Sequence, residues 1–187
     1  MPEFYLDTSG AVAAPINHHG STGPLQWSDL SDFAQGYIEA LFFTWPDDEG
    51  DFIGGITSPA FGDLASETLR TIVADCETFE RENAATLESA YARDYDASQA
   101  GRDFWFTRCG HGVGFWDREA LEPDSAEYER LTTAMVDARR SNSDWDALLS
   151  QRNRLKAESI RERLSAAARK AGNRDAYMGD DGKVYLS

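Results

Sequence analysis

The sequence predicts an α+β fold: a small antiparallel sheet of short hairpins packed against several α-helices. Three observations carry that expectation. Short runs of alternating polarity stand near the start, middle and end of the chain, at residues 3–12, 103–119 and 176–186. Between them lie long segments whose apolar residues recur at helical spacing. An Asp-Gly pair, Asp181-Gly182, separates the last two strand-like runs and is a strong hairpin signal. With 187 residues, 41% of them hydrophobic, the chain can bury a sizeable core as a single domain over 1–187.

Each element follows from local chemistry. Residues 3–12 (EFYLDTSGAV) alternate and then turn, which predicts a strand or hairpin. Residues 14–24 are rich in Gly, Pro, Ser and Asn and read as loop, with His18-His19 as exposed neighbours rather than metal ligands. Ser28, Ser31 and two aspartates then open a helix reaching Thr44. Its stripe of Phe33, Tyr37, Ala40 and Leu41, broadened by Ile38, Phe42 and Phe43, places it centrally in the core, and Gly36 predicts a close crossing. In the loop over 46–63, Asp47, Glu49 and Asp51 alternate as calcium ligands do. Phe52 stands where a calcium loop needs glycine and no glutamate closes the site, so the loop reads as solvated.

A helix is predicted over 65–92 from Leu69, Ile72, Val73, Cys76, Phe79 and Leu87, with Asp63 or Ser66 as its cap. Residues 95–101 read as a short helical turn ending at Gly101. In residues 103–119 (DFWFTRCGHGVGFWDRE), alternation opposes Phe104 and Phe106 to Trp105, and Gly110, Gly112 and Gly114 suit a tight turn, so a central hairpin is expected. Tyr128, Leu131, Met135 and Val136 define a helix over 123–140. A further helix over 145–172 carries Trp145, Leu148, Leu149, Leu155, Ile160 and Leu164, with Gly172 just past its end.

Charge narrows the functional classes. The net charge is −15, and residues 1–69 hold eleven acids but no Lys or Arg. Of the 33 acids, the 22 that remain face all 18 bases. Such a field repels phosphate, so direct nucleic-acid binding is disfavoured. The N-terminus has no basic and apolar leader pattern, and the longest apolar run, ALFFTW, is too short to span a bilayer. No membrane association is therefore expected. Two cysteines, Cys76 and Cys109, fit a reduced pair, and neither a zinc-spaced cluster nor a phosphate-cradling loop occurs. No metal or cofactor is implied.

The segment over 103–119 admits three readings. A catalytic one makes His111 a general base, with Asp103 or Asp117 orienting it and Arg108 or Arg118 holding an anion. A stacking platform would use Phe104, Trp105, Phe115 and Trp116, but only three arginines lie nearby. In the third, the aromatics are core and the glycines are turn chemistry.

The same run resembles the D-F-W-[LF]-T-R-x-x-H-G-x-G-F-W-D signature of small uncharacterised proteins of tailed phages and related mobile elements. Residues 30–44, 91–101 and 176–186 are similar to the same family, in the same order. The resemblance implies phage origin, expression in the host cytoplasm and an accessory role during infection. Cys109 departs from it, standing where members commonly carry Asn. Residues from about 120 to 156 also depart, reading as a helical insertion, a kind of addition that creates partner surface.

The expected function is therefore a non-catalytic accessory protein that binds a host or defence protein with a basic surface. The acids Asp29, Asp32, Glu39, Asp47, Asp48, Glu49 and Asp51 are its contact residues, and DNA mimicry is its sharp form. The alternative is a small enzyme or nucleotide-binding protein centred on His111, Arg108 and Asp117.

Overall fold

A computed structural model describes residues 5–13, 23–44, 59–123, 125–141 and 145–187. The fold is built on two central helices. Ser31 caps α1 (Asp32–Phe43) by accepting from the Ala34 amide at 3.2 Å, and α1 buries Phe33, Tyr37, Ile38, Leu41 and Phe42. Asp96 caps α4 (Ala97–Cys109) in the same way, through the Gln99 amide at 2.7 Å. Gly36 does mark a close crossing, and its counterpart is Gly101. A Cβ on Gly36 would run into the Ser98 carbonyl of α4, and one on Gly101 into the Phe33 carbonyl of α1. Backbone meets backbone there, so only glycine fits.

The central hairpin is not formed. Residues 97–109 are one helix, which runs through Gly101 and takes in Phe104, Trp105 and Phe106. The physical reason is that α4 is covered on several sides at once. Phe104 stacks on Phe79 at 4.1 Å, Trp105 meets the Tyr37 ring edge-on at 5.2 Å, and Phe106 meets Phe43 at 6.4 Å. A helix buried around its girth loses the polar face that reveals a helical period, and three adjacent buried aromatics then mimic strand alternation. Gly110, at φ 74°, ends α4 in the left-handed conformation rather than turning a hairpin. Two 3-10 turns follow, Phe115–Asp117 and Glu119–Leu121.

The other helices pack around this pair. The helix expected over 65–92 is two, α2 (Ser66–Glu82) and α3 (Ala84–Tyr91), parted at Asn83, whose side-chain amide donates to the Phe79 carbonyl at 2.9 Å. Neither predicted cap serves α2. Ala65 holds the cap position, Ser66 lies inside the helix, and the Asp63 carboxylate accepts from the Ala60 amide at 2.8 Å. The segment expected as an insertion forms α5 (Ser125–Ser141) and α6 (Trp145–Glu158). Ser159 then breaks the predicted long helix by capping α7 (Ile160–Lys170), which packs on α3 and α4 through a face that includes Leu164 and Ala168.

The strands form two separate antiparallel pairs rather than one sheet. In the first, β1 (Ala11–Val12) pairs with β2 (Leu25–Gln26), and from residues 5–10 only Asp7 makes a bridge, to Ala60. The C-terminal hairpin forms as predicted. In it β3 (Ala176–Met178) pairs with β4 (Val184–Leu186), Tyr177 stands opposite Tyr185, and Gly182 takes φ 72° in the turn. The fold is thus α+β but mainly helical, and its core lies between helices.

The crossing yields a direct test. Gly101→Ala forces α1 and α4 apart and should cost about 3 kcal/mol, the upper end for overpacking a close-packed core. A urea unfolding midpoint within error of the parent would show that the crossing tolerates a methyl group.

Candidate functional site

The structure separates the residues that sequence reasoning grouped around His111. Arg108 lies buried on α4 and its donors are occupied within the chain. Its Nε donates to the Gly172 carbonyl at 2.8 Å and Nη2 to the Ala171 carbonyl at 3.2 Å, closing the C-terminus of α7. Its Nη1 reaches Asp75 at 2.8 Å and the Tyr37 hydroxyl at 3.1 Å. Burial opposes the guanidinium charge, but Tyr37 and Asp75 outweigh it and raise the Arg108 pKa. Arg174 joins the cluster, donating Nε and Nη2 to Asp75 at 3.1 and 3.3 Å. Arg108 is a structural cation, not an anion-binding group.

Asp103 and Arg118 answer each other rather than His111. Arg118 grips the fully buried Asp103 carboxylate with Nε at 2.7 Å and Nη2 at 2.5 Å. The Tyr95 hydroxyl donates to the same carboxylate at 2.6 Å and Gln99 at 3.1 Å. Burial, with the Asp103 charge behind it, holds the Tyr95 hydroxyl protonated well above the usual phenol range. The Phe115 amide donates to the Thr107 hydroxyl at 3.1 Å, and Gly114 packs directly on that hydroxyl. Together these contacts fold residues 110–118 back along α4. The signature run is therefore a helix with a latched loop.

His111 heads that loop, half-buried, with its ring 6.2 Å from Trp105 and 6.1 Å from Phe106. Burial lowers its pKa. Asp117 is exposed on the 3-10 turn, and no hydrogen bond or ion pair joins it to His111 among the described residues. A base without an orienting partner lacks the geometry of general base catalysis. A cleft of about 180 Å³ does open beside His111, walled by Thr44, Trp105, Cys109, Arg174 and Asp175. It is smaller than the ~300–1,000 Å³ of ordinary small-molecule sites. Sequence reasoning missed its walls, which come from three distant segments and carry no shared motif. Burial raises the Cys109 pKa, and its thiol donates to the Arg174 carbonyl at 3.4 Å, so it is no activated nucleophile.

The acids fall into two groups. Asp29 and Asp32 are exposed at the start of α1, where the Asp29 carboxylate also accepts from the Gln26 amide at 2.9 Å. Glu39 is bound by Arg102 through Nε at 3.0 Å and Nη2 at 2.7 Å, so its charge is compensated. Asp47, Asp48, Glu49 and Asp51 lie outside the described residues, as do His18 and His19. Among the described residues no three His, Cys, Asp or Glu side chains gather to hold a metal ion, and no helix is long and apolar enough to cross a membrane. No protein-family model matches the chain, and neither does any curated protein or solved structure.

Two outcomes follow from this geometry. Asp103→Asn leaves Arg118 without its buried counter-charge and should destabilise the chain by about 3 kcal/mol, read from denaturant unfolding. His111 should titrate below its ordinary value of 6.5 by proton NMR. With the folded value below the unfolded one, the unfolded chain binds more protons. The His111 contribution is then complete above pH 6.5 and lost as pH falls through the folded value, a decline that His111→Gln removes.

Proposed function

We propose that this chain is a non-catalytic binding protein that engages a basic protein surface through the acids of its N-terminal third. The observation that carries the reading is one of charge placement. Residues 1–69 hold eleven acids and no Lys or Arg. Of the six acids described there, only Glu39 forms an ion pair among the described residues. An uncompensated field of this kind steers a cationic partner and repels phosphate. The likeness to small phage and mobile-element proteins supports a partner among host or defence proteins, met in the host cytoplasm. In the sharp form of the proposal the carboxylates stand in for DNA phosphates. The enzyme reading is weaker, because Arg108 and Asp103 are consumed by structural contacts and Asp117 is not directed at His111.

The test is salt-dependent binding of the full chain to an arginine-rich peptide, followed by calorimetry. Affinity should fall about tenfold between about 50 and 200 mM salt. Asp29→Asn and Asp32→Asn should each weaken it about threefold, as rim charges do. Affinity that is flat in salt, or no binding at low salt, would refute the proposal.

A further inference from the structure

The loop that folds back along α4 also presents side chains to solvent. Its ties follow in order: the Phe115 amide donates to Thr107, Arg118 grips Asp103, and Arg93, just ahead of α4, donates to the Glu122 carbonyl at 2.9 Å. Between these ties Phe115 and Leu121 are fully buried, and Trp116, Asp117, Glu119 and Ala120 are exposed. Trp116 is 39% exposed, and its indole makes no hydrogen bond or ring contact among the described residues. Trp105 is its opposite, buried and donating its indole N–H to the Thr44 hydroxyl at 2.7 Å.

Charge says what this turn can face. Arg118 is the one Lys or Arg in residues 110–122, and it is turned inward, with Nε and Nη2 both on Asp103. The outward face is left with Asp117 and Glu119, neither in an ion pair among the described residues. Glu122, by contrast, is paired with Arg161 at 3.0 Å. An indole flanked by two unpaired carboxylates suits a guanidinium, which lays its plane on a ring and directs its N–H donors at carboxylate oxygens.

The turn also leads toward the acids of the proposed site. Contacts between α1 and α4 advance together, from Gly36 against Ser98, through Glu39 on Arg102, to Phe43 beside Phe106. The two helices therefore run in the same direction, and Asp29 and Asp32, at the start of α1, stand toward the start of α4. The loop leaves the far end of α4, and its ties step back from Thr107 to Asp103 to Arg93. It returns to the end where those acids stand.

We propose that the turn from Trp116 to Glu119 anchors an arginine side chain of the basic partner. The guanidinium lies on the indole face and shares its donors between Asp117 and Glu119. This contact rests on the acidic-surface reading and sharpens it: the field before Arg70 draws the partner in, and the turn fixes one residue of it. Trp and Arg are both enriched at the energetic centres of protein interfaces. The buried ties to Asp103 and Thr107 already hold the loop, so little freedom is lost on binding.

Heteronuclear NMR and calorimetry on the full chain test the proposal with two peptides of equal charge, one of arginines and one of lysines. The indole N–H resonance of Trp116, assigned by its loss in Trp116→Phe, should shift as the arginine peptide is added. Trp116→Ala should weaken that peptide about fivefold, as should Asp117→Asn combined with Glu119→Gln. The lysine peptide should bind the parent about threefold more weakly. Circular dichroism checks the fold of each variant. Should Trp116→Ala unfold, the resonance shift and the double carboxylate variant decide. An unmoved resonance, affinity indifferent to the variants, or equal affinity for the two peptides overturns the inference. So does a Trp116 shift produced by a single-stranded oligonucleotide and not by the peptide, which makes the turn a stacking platform. If Asp29→Asn and Asp32→Asn still weaken the peptide, the acidic-surface reading stands without this anchor. If the arginine peptide does not bind at low salt, both fall.

Discussion

The contact between Gly36 and Gly101 is the constraint on which the rest of the molecule depends. It brings the backbones of α1 and α4 together, so that Phe33 and Tyr37 of α1 meet Phe104 of α4 at 5.9 and 5.6 Å beside the crossing. Phe79 of α2 can then stack on Phe104, Tyr37 can present its edge to Trp105, and α7 can close against α4. Each of these contacts buries a large ring, and rings of this size dominate the energetics of a core. A methyl group at either glycine would shift both helices and disturb every layer packed on them.

Polar groups complete what the rings begin. Arg108 inside the core is tolerable because Asp75, the Tyr37 hydroxyl and the last carbonyls of α7 satisfy its donors. Asp103 is tolerable because Arg118, Tyr95 and Gln99 surround it. The first cluster fastens α4 to α2 and the end of α7, and the second fastens the loop after α4 back to that helix. The most distinctive run of the sequence thereby acquires an architectural meaning. Its Asp, Thr, Arg and glycines are there to fold a loop over a helix, and its aromatics other than Trp116 line the core. The proposed function rests instead on the acids before Arg70.

The sequence was most legible where one face of an element meets water. Leu69, Ile72, Cys76 and Phe79 mark the buried side of α2 because polar residues separate them, and Asp181-Gly182 marks the last hairpin because its turn needs a glycine at positive φ. Ser28, Ser31 and the two aspartates marked the approach to α1, and of these Ser31 is its cap. Legibility failed in α4, where three adjacent aromatics, Phe104, Trp105 and Phe106, are all buried and hide the helical period. The breaks at Asn83 and Ser159 were missed because each sits inside a continuous apolar stripe that periodicity reads as one helix. The walls of the His111 cleft were missed because Thr44, Trp105 and Asp175 meet only after the chain has folded.

Composition and order along the chain therefore determined the charge field, most of the helical content outside α4 and the C-terminal turn. These are properties of single residues or of neighbours within a turn or two, and they need no tertiary contact. Whether residues 103–109 became strand or helix was decided by the crossing at Gly36 and Gly101, which let α4 be covered on several sides. The roles of Arg108, Asp103 and Arg118 were decided in the same way. An arginine beside a histidine in sequence is equally able to bind a substrate or to cap a distant helix, and only the position of α7 and Asp75 makes it the latter.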